Sequence, residues 1–288
     1  MRDTRPPSPA VVVGIDGSRT ALGAALWAVD EATARDVPLR LVYAIEPSDT
    51  PMTSEDAERS LLTAESAVRQ VFTAVESTDK PVKVEVEILQ GRPTEKLLEA
   101  SRAAPILCVG AIGSKHASAG RVGSTAAALA SRAHCPVAVI RGNHQTSGSP
   151  KAIVVEVDKS AEGELVLQRG IDEAVLRNAP LVVVSVWHPN VTDVHDTSAV
   201  AEQNKQLTAV LERRLARSTR GRPGLEARTV AAPGGLLNYL SRHAREVQLV
   251  VVGRGRAHGV AEMTGPPSYL ALHDTDCSVL VCDPHSPL

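Results

Sequence analysis

VVVGIDGS at residues 11–18 and IVVEVDKS at residues 153–160 decide how this chain folds, because the second stretch is an altered copy of the first, 142 positions on. A second pair, HCPVAVI (134–140) and DCSVLVC (276–282), stands at the same offset of 142, and between them ILCVG (106–110) answers to LVVVG (249–253) at 143. A register held from one end of a half to the other is the mark of duplication. The polar spacer RGNHQTSGSPK (141–151), rich in Gly, Ser and Pro, is where a boundary falls. Placed near residue 146, it gives domains 1–146 and 147–288. Each is then about 140 residues, a size that buries a good core.

Outward from VVVGI, short β-branched runs alternate with longer helix-patterned stretches. AVVVGI, LRLVYAI, VKVEVEI, PILCVGA and PVAVIR read as strands; ALGAALWAVDEATARD, SEDAERSLLTAESAVRQVFTAV, TEKLLEASR and STAAALASRA read as helices. The second half repeats the strands as AIVVEV, PLVVVSVW, LEARTV, QLVVVG and SVLVC. Near-continuous apolar strands separated by helices predict a parallel sheet covered on both faces. The expected architecture is α/β, two tandem doubly wound five-stranded parallel sheets of Rossmann-like type.

Composition narrows the function classes. Hydrophobic residues are 43% and charged residues 22% of the chain, ordinary for a globular protein, with aromatics at only 2%. A formal charge of −2 offers no basic excess, so a nucleic-acid partner has no electrostatic footprint. The opening MRDTRPPSPA is followed by too short an apolar run for a signal peptide, and no stretch reaches the about 18 apolar residues of a membrane span. The expectation is a cytoplasmic protein. Cys108, Cys135, Cys277 and Cys282 form no CxxC pair and sit in or beside apolar runs, which suits buried, reduced thiols.

Ligands of open sheets bind beyond the carboxyl ends of the strands, where strand order reverses. For five strands the reversal is expected between the first and the fourth, which end in Gly14-Ile15-Asp16-Gly17-Ser18 and Gly110-Ala111-Ile112-Gly113. Nine residues later, Gly123-Ser124-Thr125 opens a helix. A helix start presents unpaired N–H groups and the positive end of its dipole, with the Ser124 and Thr125 hydroxyls alongside, which is chemistry for a phosphate. Gly110 and Gly113 would let backbone approach ribose and phosphates without a Cβ between. Lys115, His116 and Arg121 lie in the intervening loop, where they either screen phosphate charge or are simply solvated. Asp16 has a plain alternative as a cap for the first helix.

Gly110-x-x-Gly113, nine residues, then Gly123-Ser124 resembles the ATP-binding signature of the universal stress protein family. The opening GIDGS, the closing HCPVAVIR and the tandem arrangement are similar to it as well, across nearly the whole chain. The resemblance implies a fold like that of adenine nucleotide alpha hydrolases and bound ATP, with Mg²⁺ accompanying it. It also implies site residues: Gly14 and Asp16 at the adenosine end, backbone of Val42 at the adenine, and Gly110, Gly113, Gly123, Ser124 and Thr125 around the phosphates. Gly91-Arg92-Pro93 resembles the family's loop after the third strand, and a Gly/Pro turn there needs no function.

The second half departs from the pattern. Asp158 and Ser160 stand opposite Asp16 and Ser18, but Glu156 replaces Gly14, Arg256 stands opposite Gly113, and Gly265 is followed by Pro266-Pro267 in place of Ser124-Thr125. Proline brings neither N–H nor hydroxyl, so a degenerate, empty site is expected there. The apolar last strands, PVAVIR and SVLVC, are edges that want cover. In the family such strands pair across a dimer; here the halves are expected to pair as an intrachain pseudo-dimer, with homodimerisation of the whole chain a second expectation.

GxxxxGK[ST], GxSxG and HExxH are all missing, and the nine histidines have no metal-ligand spacing. His116, His134 and His258 near the crevices suit loop or surface roles. Slow hydrolysis with Mg²⁺, with Asp16 contributing, is the most that is expected. Three readings follow, of which the first two are an ATP-binding regulator of the stress response acting on an unknown protein partner and a nucleotide-free interaction scaffold of the same fold. A nucleotide-transferring enzyme, the third, lacks an SGGxDS loop after the first strand.

Overall fold

A computed structural model describes residues 8–47, 53–114, 122–142, 150–158, 160–188, 197–255, 261–264, 272 and 275–283. The described residues up to 142 form one compact unit and those from 150 onward a second. The first unit contains β1 (Val11–Ile15), α1 (Arg19–Arg35), β2 (Leu39–Ile45), α2 (Ser54–Glu76), β3 (Val84–Gln90), α3 (Pro93–Ala100), β4 (Leu107–Gly110), α4 (Ser124–Arg132) and β5 (Val137–Ile140). All its strand pairs are parallel, in the order β3-β2-β1-β4-β5, so the order reverses between β1 and β4 as expected. The second unit contains β6 (Ala152–Glu156), α5 (Ala161–Leu176), β7 (Leu181–Trp187), α6 (Thr197–Ser218), β8 (Ala227–Pro233), α7 (Leu236–His243), β9 (Val247–Gly253), α8 (Ala261–Thr264) and β10 (Ser278–Cys282). Its order, β8-β7-β6-β9-β10, repeats the first.

Small and branched residues explain the tight layering. Ala21, Ala24, Ala25, Ala28 and Ala32 on α1 are buried, so the helix lies close on strands made of Val11, Val12, Val13, Leu107 and Cys108, all buried too. Trp27 is the large buried group on α1, whereas Trp187, at the end of β7, is half-buried and donates its indole N–H to Asn204 Oδ1 at 2.8 Å. Ser18 caps α1 by accepting from the Ala21 N–H, and Thr53 with Asp56 forms a reciprocal capping box on α2. All four cysteines are buried thiols outside any disulfide among the described residues, and burial pushes the Cys282 thiol up to about 12, which makes it inert.

The limits of β3 and β8 differ from the expected ones for identifiable reasons. β3 begins at Val84, not Val82, whose N–H turns back to the Lys80 carbonyl, and it runs on to Gln90 because β2 continues to Ile45 as its partner. β8 continues beyond Val230 to Pro233; it is the outer strand of its unit's sheet, where a residue without N–H is tolerated.

Gly170 marks the closest approach in the second unit: a Cβ there would lie 1.9 Å from Val155 Cγ2 and 3.1 Å from Val155 Cβ. Alanine adds helix propensity of about 1 kcal/mol, but overpacking of this kind costs about 1–3 kcal/mol. Gly170→Ala is therefore expected to lower stability by roughly 1–2 kcal/mol in urea denaturation. Adding Val155→Ala should restore most of the helix–strand fit; a double variant no better than the sum of its parts would refute the contact.

Charged groups are buried at matching positions in both units. In α5, Glu173 is 1% exposed and receives Arg169 at 3.1 Å and Arg177 at 3.0 Å. In α1, Glu31 is fully buried and paired with Arg35 at 2.7 Å, but Trp27 stands where α5 has Arg169.

Two partly buried carboxylates, Glu85 and Glu164, are held below their usual value. The Lys83 hydrogen bond holds Glu85 below its usual value against partial burial, with help from Arg40. Burial works to raise Glu164, yet hydrogen bonds from Arg214 and Ser218 bring it below its usual value. Both groups are depressed in the folded state, so their contribution is present above the ordinary carboxylate value of 4.5 and is lost as pH falls below it. Thermal unfolding should show stability declining below that point. Arg214→Ala should make the decline shallower by well under about 1 kcal/mol, given the exposure of Glu164.

Candidate functional site

The turns at the ends of β1 and β4 meet through one side chain. Asp16 Oδ1 accepts the Ser18 N–H at 2.9 Å in an Asx-type turn with Gly17 between them at φ 80°, and Asp16 Oδ2 accepts the Ser114 N–H at 2.9 Å. Ser18, not Asp16, caps α1. Asp16 instead ties the two glycine turns together, and Gly113 is glycine in its shadow: a Cβ there would lie 3.0 Å from Asp16 Oδ2. Thr20, in the first turn of α1, donates its hydroxyl to the Ile112 carbonyl and adds a second tie.

Gly110 and Gly14 owe their lack of a side chain to packing. A Cβ on Gly110 would lie 2.7 Å from the Ala21 nitrogen and 2.7 Å from the Thr20 carbonyl carbon, so the backbone of α1 takes the space that sequence reasoning reserved for ribose and phosphate. A Cβ on Gly14 would lie 2.8 Å from Leu97 Cδ1 on α3 and 3.2 Å from Val109 Cγ1. Val42 is not brought to the crevice. It is 1% exposed in mid-β2, in register with Gly14 on one side and Glu87 on the other, and its backbone lies in the sheet ladder.

Gly123, Ser124 and Thr125 are where a ligand finds donors. The Gly123 N–H donates to the Ala111 carbonyl at 2.8 Å, which holds the start of α4 against the β4 turn. Gly123 is an ordinary extended N-cap with φ −63°, and among the described residues the nearest atoms to an added Cβ, the Gly113 nitrogen included, lie 3.7 Å away. No side chain caps α4, and no acceptor among the described residues takes the N–H of Ile112, Gly113, Ser124 or Thr125. Four backbone donors thus gather around two adjoining turns at the positive end of a nine-residue helix. Lys115, His116 and Arg121 lie outside the described residues.

The second unit builds the same turns differently. Asp158 Oδ1 accepts the Ser160 N–H at 2.9 Å and Ser160 caps α5, as in the first unit. Arg214 on α6 hydrogen-bonds the Asp158 carbonyl and Glu164 Oε2 at 2.8 Å, closing over the turn. Glu162 sends its carboxylate onto the turn after β9 and accepts the Gly255 N–H at 3.0 Å. Glu156, opposite Gly14, is half-buried at the end of β6. Arg256, His258 and Gly265-Pro266-Pro267 lie outside the described residues. Sequence reasoning missed Thr20, Glu162 and Arg214; only their place in a first helical turn or on a facing helix reveals them.

Sheet order and turns define a duplicated, doubly wound α/β protein with a donor-lined switch point in its first half. A sequence profile of the universal stress protein family matches residues 9–141 and again 150–283, and the chain belongs to that family. It is 46% identical over 275 residues to Universal stress protein Rv2028c of Mycobacterium tuberculosis, covering 95% of each chain. To Universal stress protein Rv3134c of the same organism it is 44% identical over 262 residues, covering 90% of this chain and 92% of that one. A solved structure of a universal stress protein from Archaeoglobus fulgidus superposes with a TM-score of 0.69 over 95% of this chain and 96% of that one; at 16% identity this is a likeness of fold. Among the described residues, no helix is long and apolar enough to cross a membrane and no group of three or more potential metal ligands occurs.

Proposed function

We propose that this chain is a regulator in the stress response that binds ATP in its first unit. Family membership supports the stress-response role. The observation that carries the nucleotide is the set of backbone N–H groups at Ile112, Gly113, Ser124 and Thr125 without an acceptor among the described residues. They fit a phosphate chain: donors are preorganised, the helix dipole favours negative charge, and no described residue comes within 3.7 Å of an added Cβ at Gly123. Ser124 and Thr125 would add hydroxyls. Mg²⁺ would arrive with the phosphates and offset their charge.

Asp16 acts here as a positioning residue, holding both turns in the shape the donors need. Gly14 and Gly110 serve the same site indirectly, by letting α3 and α1 close on the sheet. The adenosine end falls on the β1–β2 side, without the mid-strand Val42 backbone. Nucleotide occupancy would then bias association with a protein partner, and the whole chain is read as a homodimer, to be checked by light scattering with and without nucleotide.

Calorimetric titration of ATP and Mg²⁺ into nucleotide-stripped full chain is the test. One site per chain, competed by ADP, is the expected result. No binding would leave the nucleotide-free scaffold as the function of this fold.

A further inference from the structure

The two units join the same pair of positions by hydrogen bonds of opposite polarity. Thr20 and Glu162 occupy matching places in the first turns of α1 and α5, two residues after the capping Ser18 and Ser160. Ile112 and Gly255 occupy matching places in the turns after β4 and β9. In the first unit the side chain donates: the Thr20 hydroxyl binds the Ile112 carbonyl, and the Ile112 and Gly113 N–H groups have no acceptor among the described residues. In the second unit the side chain accepts: Glu162 Oε1 takes the Gly255 N–H at 3.0 Å.

The carboxylate also fills the space above that turn. Added Cβ atoms would lie 2.7 Å from Glu162 Oε1 at Gly253 and 2.4 Å from Glu162 Oε2 at Gly255, so both glycines of the Gly253-Arg254-Gly255 turn are glycine beneath this one group. The equivalent strand-end glycine of the first unit, Gly110, meets helix backbone and the neutral Thr20 hydroxyl. A carboxylate at the start of α5 also faces the positive end of that helix's dipole.

We propose that Glu162 is the specificity-determining residue of the second unit: its carboxylate is a resident anion that takes the donor and the volume a phosphate would need, and so confines phosphate binding to the first unit. This rests on the reading of the first unit as a phosphate site. A second negative group brought to the Gly255 turn would meet a filled space and like charge at the distance of a hydrogen bond.

The test titrates inorganic tripolyphosphate, without magnesium, into the full chain as wild type, Glu162→Thr and Glu162→Gln. Threonine restores the first unit's residue at this place; glutamine keeps size and an oxygen for the Gly255 N–H but removes the charge. Wild type should take one tripolyphosphate per chain and Glu162→Thr one more, with amide exchange slowing at residues 253–255 on addition of the anion. Glu162→Gln should also gain the second site, at least about tenfold weaker than in Glu162→Thr because its volume stays filled. A folded Glu162→Thr with wild-type stoichiometry overturns the proposal, as does a Glu162→Gln indistinguishable from wild type, and the second variant decides the matter if the first does not fold. Wild type taking none would refute the first-unit reading while the increment between variants still judges Glu162.

Discussion

Glu173→Ala is expected to destabilise the second unit by about 3–5 kcal/mol, the cost of breaking a buried ion pair by removing one partner. Glu173 is 1% exposed and lies between Arg169 and Arg177, whose side chains are 9% and 8% exposed. Removing the carboxylate takes a negative charge from between two guanidinium groups held out of water, and neither can shed its proton. Glu173→Gln retains shape and some hydrogen bonding and should cost less. The matching change in the first unit, Glu31→Ala, should also cost less, because Trp27 there replaces the second arginine and Arg35 is 25% exposed and can turn to solvent. Native-state amide exchange resolves the units: faster exchange along α5 with α1 unchanged is the expected pattern. A Glu173→Ala protein as stable as wild type would show that the cluster adds no net stability.

Nucleotide binding should fall at least about a hundredfold in Gly123→Trp, roughly 3 kcal/mol, while the fold survives. Both halves of that expectation come from the same residue. Its backbone, at φ −63° and ψ 152°, is comfortable for any side chain, and its nearest neighbours among the described residues lie 3.7 Å from an added Cβ, so the substitution is expected to leave the fold intact. A large side chain at the head of α4 would nonetheless cover the donors of Gly113, Ser124 and Thr125. Calorimetry with ATP and Mg²⁺ measures the loss and circular dichroism the fold. Unchanged affinity in a folded variant would move the phosphates away from α4 and sink the site.

Much of this was legible in the chain itself. VVVGI, ILCVG and PVAVI are apolar on both faces, which only the interior of a parallel sheet satisfies, and the register between halves carried the assignment from one unit to the other. The positions of the critical glycines were legible too. Their reasons were not: Gly110 and Gly14 are glycine because α1 and α3 press on the sheet, a fact about helix placement that no local pattern contains. Val42 was carried to the adenine by resemblance, whereas the ladder absorbs its backbone. Glu162 looks like any acidic residue in a first helical turn, where the dipole alone would justify it; that it rests on a turn 93 residues away emerges only in three dimensions.

The scarcity of aromatic residues also gives the molecule a built-in pair of optical reporters. The chain has two tryptophans, three tyrosines and one phenylalanine, and each unit holds one tryptophan. Trp27 is sealed in the first unit at 2% exposure, while Trp187 in the second unit is half-buried and hydrogen-bonded through its indole N–H. The first should emit blue and resist quenching by acrylamide, and the second should emit further to the red and quench readily. Intrinsic fluorescence can therefore follow each half of the duplicated chain in the same cuvette, with Trp187→Phe silencing one of them and no dye attached.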